Sequence, residues 1–189
     1  MSADLRITYY VAASVDGYIA TADGGTGWLA PFEASGDDYG YADFYAGIDA
    51  LLLGRRTYEH CLGFGAWPYA DKPCRVFSRD RSRRLHEDED ADESSAIRIT
   101  ADDPATVIGE LAAAGARNLW LVGGGQLAGE FLLRGLLTDL VLSVVPVTLG
   151  SGIPLFGGDA APAALQLRSS RLHSMGLVQL HYRIGNGQD

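Results

Sequence analysis

A single α/β domain with a mostly parallel central sheet, helices on its faces and an antiparallel hairpin at its C-terminal end is the fold class the sequence predicts. Three observations carry it. Strand-like and helix-like stretches alternate through most of the chain. The strand-like runs are nearly continuous in apolar character, as in strands covered on both faces, and the last two of them are joined by a short Met-Gly turn. At 189 residues and 47% hydrophobic, the chain can bury one sizeable core, so residues 1–189 are read as one domain.

Leu5 to Ala13 is the first expected strand, β-rich and almost wholly apolar. A glycine-rich stretch from Asp23 to Gly27 follows and ends at Trp28-Leu29. Asp37 to Asp49 has an aspartate start, with Tyr41, Phe44, Tyr45 and Ile48 at helical spacing. Strands are expected at Ala50 to Leu53, Cys74 to Ser78, Ile97 to Thr100, Asn118 to Val122 and Leu140 to Val147. Helices are expected from Arg55, from Pro104 to the stop at Gly115, and from Leu127 to Leu133. Leu165 to Ser174 and Leu177 to Ile184 close the chain as a hairpin turning near Met175-Gly176.

Two of the strand-to-helix junctions carry chemistry. Leu51-Leu52-Leu53-Gly54 delivers Arg55, Arg56 and Thr57 onto a helix start, where unpaired backbone N–H groups sit beside guanidinium and hydroxyl donors. Val122-Gly123-Gly124-Gly125-Gln126-Leu127 makes a second such junction. Each alone has a plainer reading, a tight turn for the glycines and a solvated surface for the arginines. Together they point to a ligand with two phosphate groups. The chain has fourteen arginines and one lysine, and Arg55, Arg56, Arg75, Arg79, Arg81, Arg83 and Arg84 share one short window, whose planar forks suit phosphate.

Other classes are excluded on composition. The formal charge of −9 and the lack of a broad basic face argue against a nucleic-acid partner. No apolar run approaches the length of a membrane span and no leader precedes the first strand, so a cytoplasmic protein without a membrane partner is expected. Cys61 and Cys74 are read as ordinary thiols, and the scattered His60, His86, His173 and His181 predict no metal site. The acidic run Glu87 to Glu93 reads as a solvated loop.

Ser14-x-Asp16-Gly17-Tyr18-Ile19-Ala20, Trp28-Leu29, Gly54-Arg55-Arg56-Thr57-Tyr58-Glu59, Phe77-Ser78-Arg79, Val122-Gly123-Gly124-Gly125, Leu137-Thr138-Asp139-Leu140 and Pro146-Val147-x-Leu149-Gly150-x-Gly152 occur in this order across nearly the whole chain. The set resembles the dihydrofolate reductase-like fold, and specifically stand-alone reductases similar to the reductase domain of bifunctional riboflavin-biosynthesis proteins. The resemblance implies NADPH as cofactor, with Gly54, Arg55, Arg56 and Thr57 near its phosphates and Ser78 and Arg79 near the 2′-phosphate. It puts the pyrophosphate at Val122, Gly123, Gly124, Gly125, Gln126 and Leu127, and Ala12, Ile19 and Ala20 beside the nicotinamide. It also implies a cis peptide at Gly123-Gly124.

The activity so implied is hydride transfer from NADPH to a C=N bond or sugar imine of a small heterocycle. The first reading is a 5-amino-6-(5-phosphoribosylamino)uracil reductase of riboflavin biosynthesis. The alternatives are a dihydrofolate or pterin reductase and a non-catalytic nucleotide-binding protein of the same fold. Two positions depart from the riboflavin reductases: Gly123 stands where their glycine run begins with glutamate, and Tyr58-Glu59-His60-Cys61 replaces an aspartate and proline. A pterin reductase needs a carboxylate to help protonate the ring, for which Glu33, Asp38 and Asp43 are candidates. Asp16 is either a turn-maker or a group facing substrate. Thr26 and Trp28 are candidate substrate contacts. A Rossmann reading of Gly123-x-Gly125-x-x-x-Gly129 ranks behind, because the motif follows several strands and no acid sits where the adenosine ribose would need it. The apolar run Val141 to Val145 and its hairpin are expected to be covered in a two-fold homodimer.

Overall fold

The computed structural model describes residues 5–63, 65–79, 96–158 and 162–185. In chain order its elements are β1 (Arg6–Ser14), β2 (Tyr18–Ala20), α1 (Ala30–Glu33), α2 (Tyr41–Ala46), β3 (Ala50–Gly54), α3 (Arg55–Leu62), β4 (Cys74–Phe77), β5 (Ile97–Thr100), α4 (Pro104–Ala113), β6 (Asn118–Gly123), α5 (Gly125–Leu133), β7 (Asp139–Val145), β8 (Ile153–Pro154), β9 (Leu165–Leu172) and β10 (Val178–Ile184). Eight strands form one sheet in the order β5-β4-β3-β6-β1-β7-β10-β9. The pairings from β5 through β7 are parallel, and β10 pairs antiparallel with both β7 and β9. This is the dihydrofolate reductase-like arrangement the sequence predicts.

Continuous apolar runs are needed because both faces of the central strands are buried. Ala50 and Leu52 join Ile7, Tyr9, Leu119 and Leu121 in a core closed by Val107 and Leu111 of α4 and Phe131 of α5. Leu51 and Leu53 point the other way, into a second core with Val76, Trp120 and Tyr58 of α3. Aromatic rings of α2 roof that core; Phe44 stacks on Tyr10 at 4.3 Å between centroids.

The helix expected over residues 37–49 is cut to the six residues of α2. Tyr39 and Gly40 adopt positive φ (54° and 79°), which no continuing helix tolerates. Asp38 turns its carboxylate onto the Gly40 and Ala42 amides at 2.9 and 3.1 Å, so Asp38 rather than Asp37 meets the incoming turn. The short helix α1 and the small β2–β8 ladder carry no period the sequence could display. Gly152 makes that ladder possible, since a Cβ there would overlap the Ala20 carbonyl oxygen. The window from Asp80 to Ser95, with Arg81, Arg83, Arg84 and the acidic run, lies outside the described residues.

Candidate active site at the strand C-termini

Connections run from β3 toward β4 on one side and from β6 toward β7 on the other, so the winding of the connections reverses between the adjacent parallel strands β3 and β6. Parallel α/β sheets bind ligands in the crevice beyond such a switch point. Here the two glycine junctions flank it: Leu53 pairs with Gly123 in the ladder, which puts the starts of α3 and α5 side by side. Neither helix has a side-chain cap. Gly54 and Gly124 occupy the N-cap positions without a capping hydrogen bond, leaving the first-turn amides of both helices directed at the crevice. By contrast, α4 starts on Asp103, whose carboxylate accepts from Ala105 N at 2.9 Å.

The room between the seats is shaped by missing side chains. Gly123 has φ 143°, which favours glycine, and the Gly123-Gly124 peptide is cis, as the resemblance implied. A Cβ at Gly124 would stand 3.2 Å from Thr57 Oγ1, and one at Gly54 would lie 3.6 Å from Gly123 O and Gly124 N. Thr57 therefore closes the floor of the crevice between the two helix starts. Gly125 and Gly129 serve a different purpose. A Cβ at either would overlap the carbonyl oxygens of Pro154 and Gly157 respectively, so these two glycines seat α5 on the 154–157 segment. That accounts for the Gly123-x-Gly125-x-x-x-Gly129 spacing without a Rossmann fingerprint.

The other implied cofactor residues lie along the same edge. Ser78 and Arg79 leave β4 one strand beyond Gly54, where the Ser78 amide donates to Thr100 O at 2.9 Å. Arg79 and Arg56 are exposed, whereas Arg55 is folded back along α3 with its Nε 2.7 Å from Glu59 Oε1. Ala12 lies half-buried near the end of β1, paired with Ser143 of β7, and Ile19 and Ala20 sit on β2. Val122 is half-buried, Gln126 exposed and Leu127 half-buried at the start of α5.

The acidic candidates separate. Asp16 accepts Ser14 Oγ at 2.6 Å, Gly150 N at 2.7 Å and Leu149 N at 3.1 Å. Donation by Ser14, then by the two amides, holds its carboxyl below the ordinary range. The residue pins the 15–17 turn to the 149–150 loop, which is the turn-making role. Asp38 is spent on α2 in the same manner, while Glu33 and Asp43 are exposed on α1 and α2. The four do not converge.

The substrate candidates instead meet residues that sequence reasoning passed over. Thr26 Oγ1 lies 3.2 Å from Nε2 of His60, one turn beyond Thr57 on α3. The three-residue spacing of Thr57 and His60 was the available signal, since it sets both on one helix face. Trp28 packs with Ala12 against Phe32, Val145 and Leu177, and its buried Nε1 has no hydrogen-bond partner. Trp67 Nε1 and His173 Nε2 are also buried without a partner among the described residues, so Trp28 is set apart by its place beside Ala12. Burial raises the Cys61 thiol and pushes Cys74 up to about 12, which keeps both unreactive. Among the described residues no group of three or more His, Cys, Asp or Glu side chains could hold a metal ion, and no helix is long and apolar enough to cross a membrane.

A doubly wound sheet with uncapped helix starts around a glycine-lined switch point defines an α/β protein of the dihydrofolate reductase-like class. Within that class the chain belongs to the RibD C-terminal domain family, which matches residues 6–178. It is 35% identical to the Bacillus subtilis protein YwjB, over 94% of this chain and 97% of that one. It is also 31% identical to the riboflavin biosynthesis protein RibD of Corynebacterium ammoniagenes, over 78% of this chain but 45% of that protein. Among solved structures, a Shewanella sp. PV-4 protein with a provisional riboflavin-biosynthesis name superposes with a TM-score of 0.84 at 28% identity, covering 96% of this chain and 100% of the other. Membership in this family supports an oxidoreductase, a reductase of the general riboflavin-pathway kind.

Proposed function

We propose that the protein is a cytoplasmic, homodimeric NADPH-dependent reductase of a small heterocyclic substrate, with 5-amino-6-(5-phosphoribosylamino)uracil as the first compound to test. The observation that carries the reading is the pair of uncapped helix starts, α3 and α5, meeting at Gly54, Thr57 and Gly124. Their first-turn amides fit a diphosphate, which needs N–H donors and no side chain in its way. Across the strand ends from β4 to β1 the seats span about 14 Å at the usual strand spacing, room for an elongated dinucleotide with its charge in the middle.

Bound NADPH supplies the hydride; the chain supplies binding, orientation and dryness. Arg79, with Ser78, favours the 2′-phosphate end, and Arg55, Arg56 and Thr57 serve the other phosphates. Ala12, Ile19 and Ala20 give the nicotinamide a small, apolar wall that keeps water from the hydride path. The Trp28 indole N–H and the Thr26–His60 pair orient the substrate, so that positioning of two ligands face to face provides most of the rate.

NADPH and NADH titrations of the purified protein and of the Arg55→Ala/Arg79→Ala variant test this. The reading requires micromolar NADPH binding that exceeds NADH binding and collapses in the variant. No binding of either nucleotide defeats it. Gly123, standing where the riboflavin reductases carry glutamate, favours a second reading as a pterin or folate reductase. Turnover of dihydrofolate but not of the aminopyrimidine would select it, and nucleotide binding without turnover of either would select the non-catalytic alternative.

A further inference from the structure

Strand β7 is apolar from Leu140 to Val145 except at Ser143, which is 5% exposed. A buried hydroxyl costs free energy unless it is hydrogen-bonded, so its place in the sheet matters. The ladders set Ser143 between Ala12 of β1 and Gln179 of β10. These three residues, and Tyr10 two positions before Ala12, share the face of the sheet on which Trp28, Phe32 and Tyr39 pack. Ala12 is the residue that the reading above sets against the nicotinamide. Ser143 stands one strand from it, about 4.8 Å, and Gln179 one strand further.

The Gln179 side chain leans back over β7. Its Nε2 is 3.1 Å from Tyr10 Oη, 3.1 Å from the Tyr39 carbonyl oxygen and 3.2 Å from Ser143 Oγ. A carbonyl can only accept, so the Tyr39 contact fixes which end of the amide is the NH2 group. Its two hydrogens serve three acceptors, and two other groups are left over. Gln179 Oε1 accepts from no group among the described residues and is open to solvent. Ser143 Oγ accepts from Gln179, and its own hydrogen goes to no acceptor among the described residues. The support beneath them is fixed: Tyr10 Oη also donates to the Tyr39 carbonyl at 3.2 Å, and Asp37 accepts from the Tyr39 amide at 2.9 Å. A spare acceptor and a spare donor thus stand side by side next to Ala12.

We propose that Gln179 is a specificity-determining residue of the proposed reductase, its Oε1 accepting from a ring N–H of the substrate while Ser143 Oγ donates to the neighbouring ring carbonyl. The inference rests on the reductase reading and adds the group that reads the ring. An acceptor beside a donor fits a lactam edge, N–H next to C=O, and the acceptor goes unpaired against a ring whose nitrogen carries an alkyl group. A site that hydrogen-bonds its ligand rejects an analogue lacking the bonded group far more strongly than an apolar wall does, because its own polar group is then left without a partner. Val141 and Val145, the neighbours of Ser143 on this face of β7, cannot make that distinction. Thr26, His60 and Trp28 belong to other segments, so their contacts with substrate are separate from this one.

Calorimetric titration with 5,6-diaminouracil and with its di-N-methyl analogue, which keeps both carbonyls and lacks both ring N–H groups, tests it with and without saturating NADPH. Wild type is expected to bind the uracil at least tenfold more tightly than the analogue. Gln179→Met, its folding checked by circular dichroism, should lose that preference and keep its affinity for the analogue. Ser143→Ala should weaken both probes roughly tenfold and keep the preference. A wild type that does not bind the uracil, or binds it no better than the analogue, overturns the proposal. So does a Gln179→Met protein that binds both probes equally more weakly, since Gln179 would then be only a strut for Tyr39. Lowered NADPH affinity in that variant with the preference intact also overturns it and gives the amide to the cofactor. Should Gln179→Met unfold, Ser143→Ala decides: a tenfold loss for both probes supports the site and unchanged affinity removes it. The lactam preference in a protein that binds no NADPH would leave this site standing while the reductase reading failed, and NADPH binding without the preference would do the reverse.

Discussion

The two edges of the parallel sheet treat their polar groups in opposite ways. At the edge where the strands begin, the chain satisfies itself. Asp49 accepts the Arg117 and Asn118 amides at 2.8 Å each. Asp139, its side chain 4% exposed, takes Thr138 Oγ1 at 2.7 Å, lies 2.9 Å from His181 Nε2 and accepts from Arg183 at 3.2 Å. At the edge where the strands end, the starts of α3 and α5 carry glycine instead of a capping side chain. A glycine N-cap costs only a few tenths of a kcal/mol relative to a side-chain cap, so the chain leaves these two neighbouring starts open at little expense in stability. The difference teaches that donors are consumed where the strands begin, while those at the starts of α3 and α5 stay available to the ligand proposed above.

The comparison breaks most severely at glycines of the open edge that serve packing. Gly129→Ala should destabilise by about 3 kcal/mol or prevent folding, since its methyl group would overlap the Gly157 carbonyl on a buried helix face. Denaturant unfolding measures this, and a neutral result would mean that the 154–157 segment yields easily. Asp139→Ala comes next, at about 2 kcal/mol, because three donors at a buried site lose their acceptor together. Its folded fraction should bind NADPH as wild type does; weakened binding would show that the two edges are coupled.

Thr57→Val is the converse. Its hydroxyl faces the Gly123-Gly124 peptide and not the core, so stability should stay within about 0.5 kcal/mol. NADPH affinity should drop roughly tenfold, the worth of one hydrogen bond to a charged group. Calorimetric titration reads this directly, and full affinity would take Thr57 out of the diphosphate seat.

These contrasts were unequally visible in the sequence. The strands buried on both faces, such as Leu51 to Leu53 and Leu119 to Val122, were legible because continuous apolar character has few other meanings. The two glycine junctions were legible too, since a strand ending in glycine before a helix is a local pattern. Asp16 was ambiguous for a physical reason: Ser14 is its neighbour in sequence, but its partners Leu149 and Gly150 are brought to it only by folding. His60 was hidden by the same kind of distance, because Thr26 lies on another segment. The length of α2 was misjudged because the aromatic period from Tyr41 to Ile48 reports which side faces the core, while the positive φ at Tyr39 and Gly40 decides where the helix starts.

The smallest expected effect tests the closed edge by titration. The Arg117 amide, then that of Asn118, stabilises the charged form of Asp49 and lowers its carboxyl below the ordinary value. A carboxylate whose value is depressed on folding contributes stability that is fully present above the unfolded value of about 3.9 and is lost as pH falls through the folded value. Asp49→Asn keeps one acceptor oxygen for the two amides but removes the charge, so it should cost a little stability at neutral pH and nothing at the acid end. Melting curves of wild type and variant should therefore converge between about pH 4 and the lower value of the folded carboxyl. Parallel curves across that range would mean that the Asp49 charge contributes nothing and that only the geometry of the two amide bonds holds β3 to β6 at this edge.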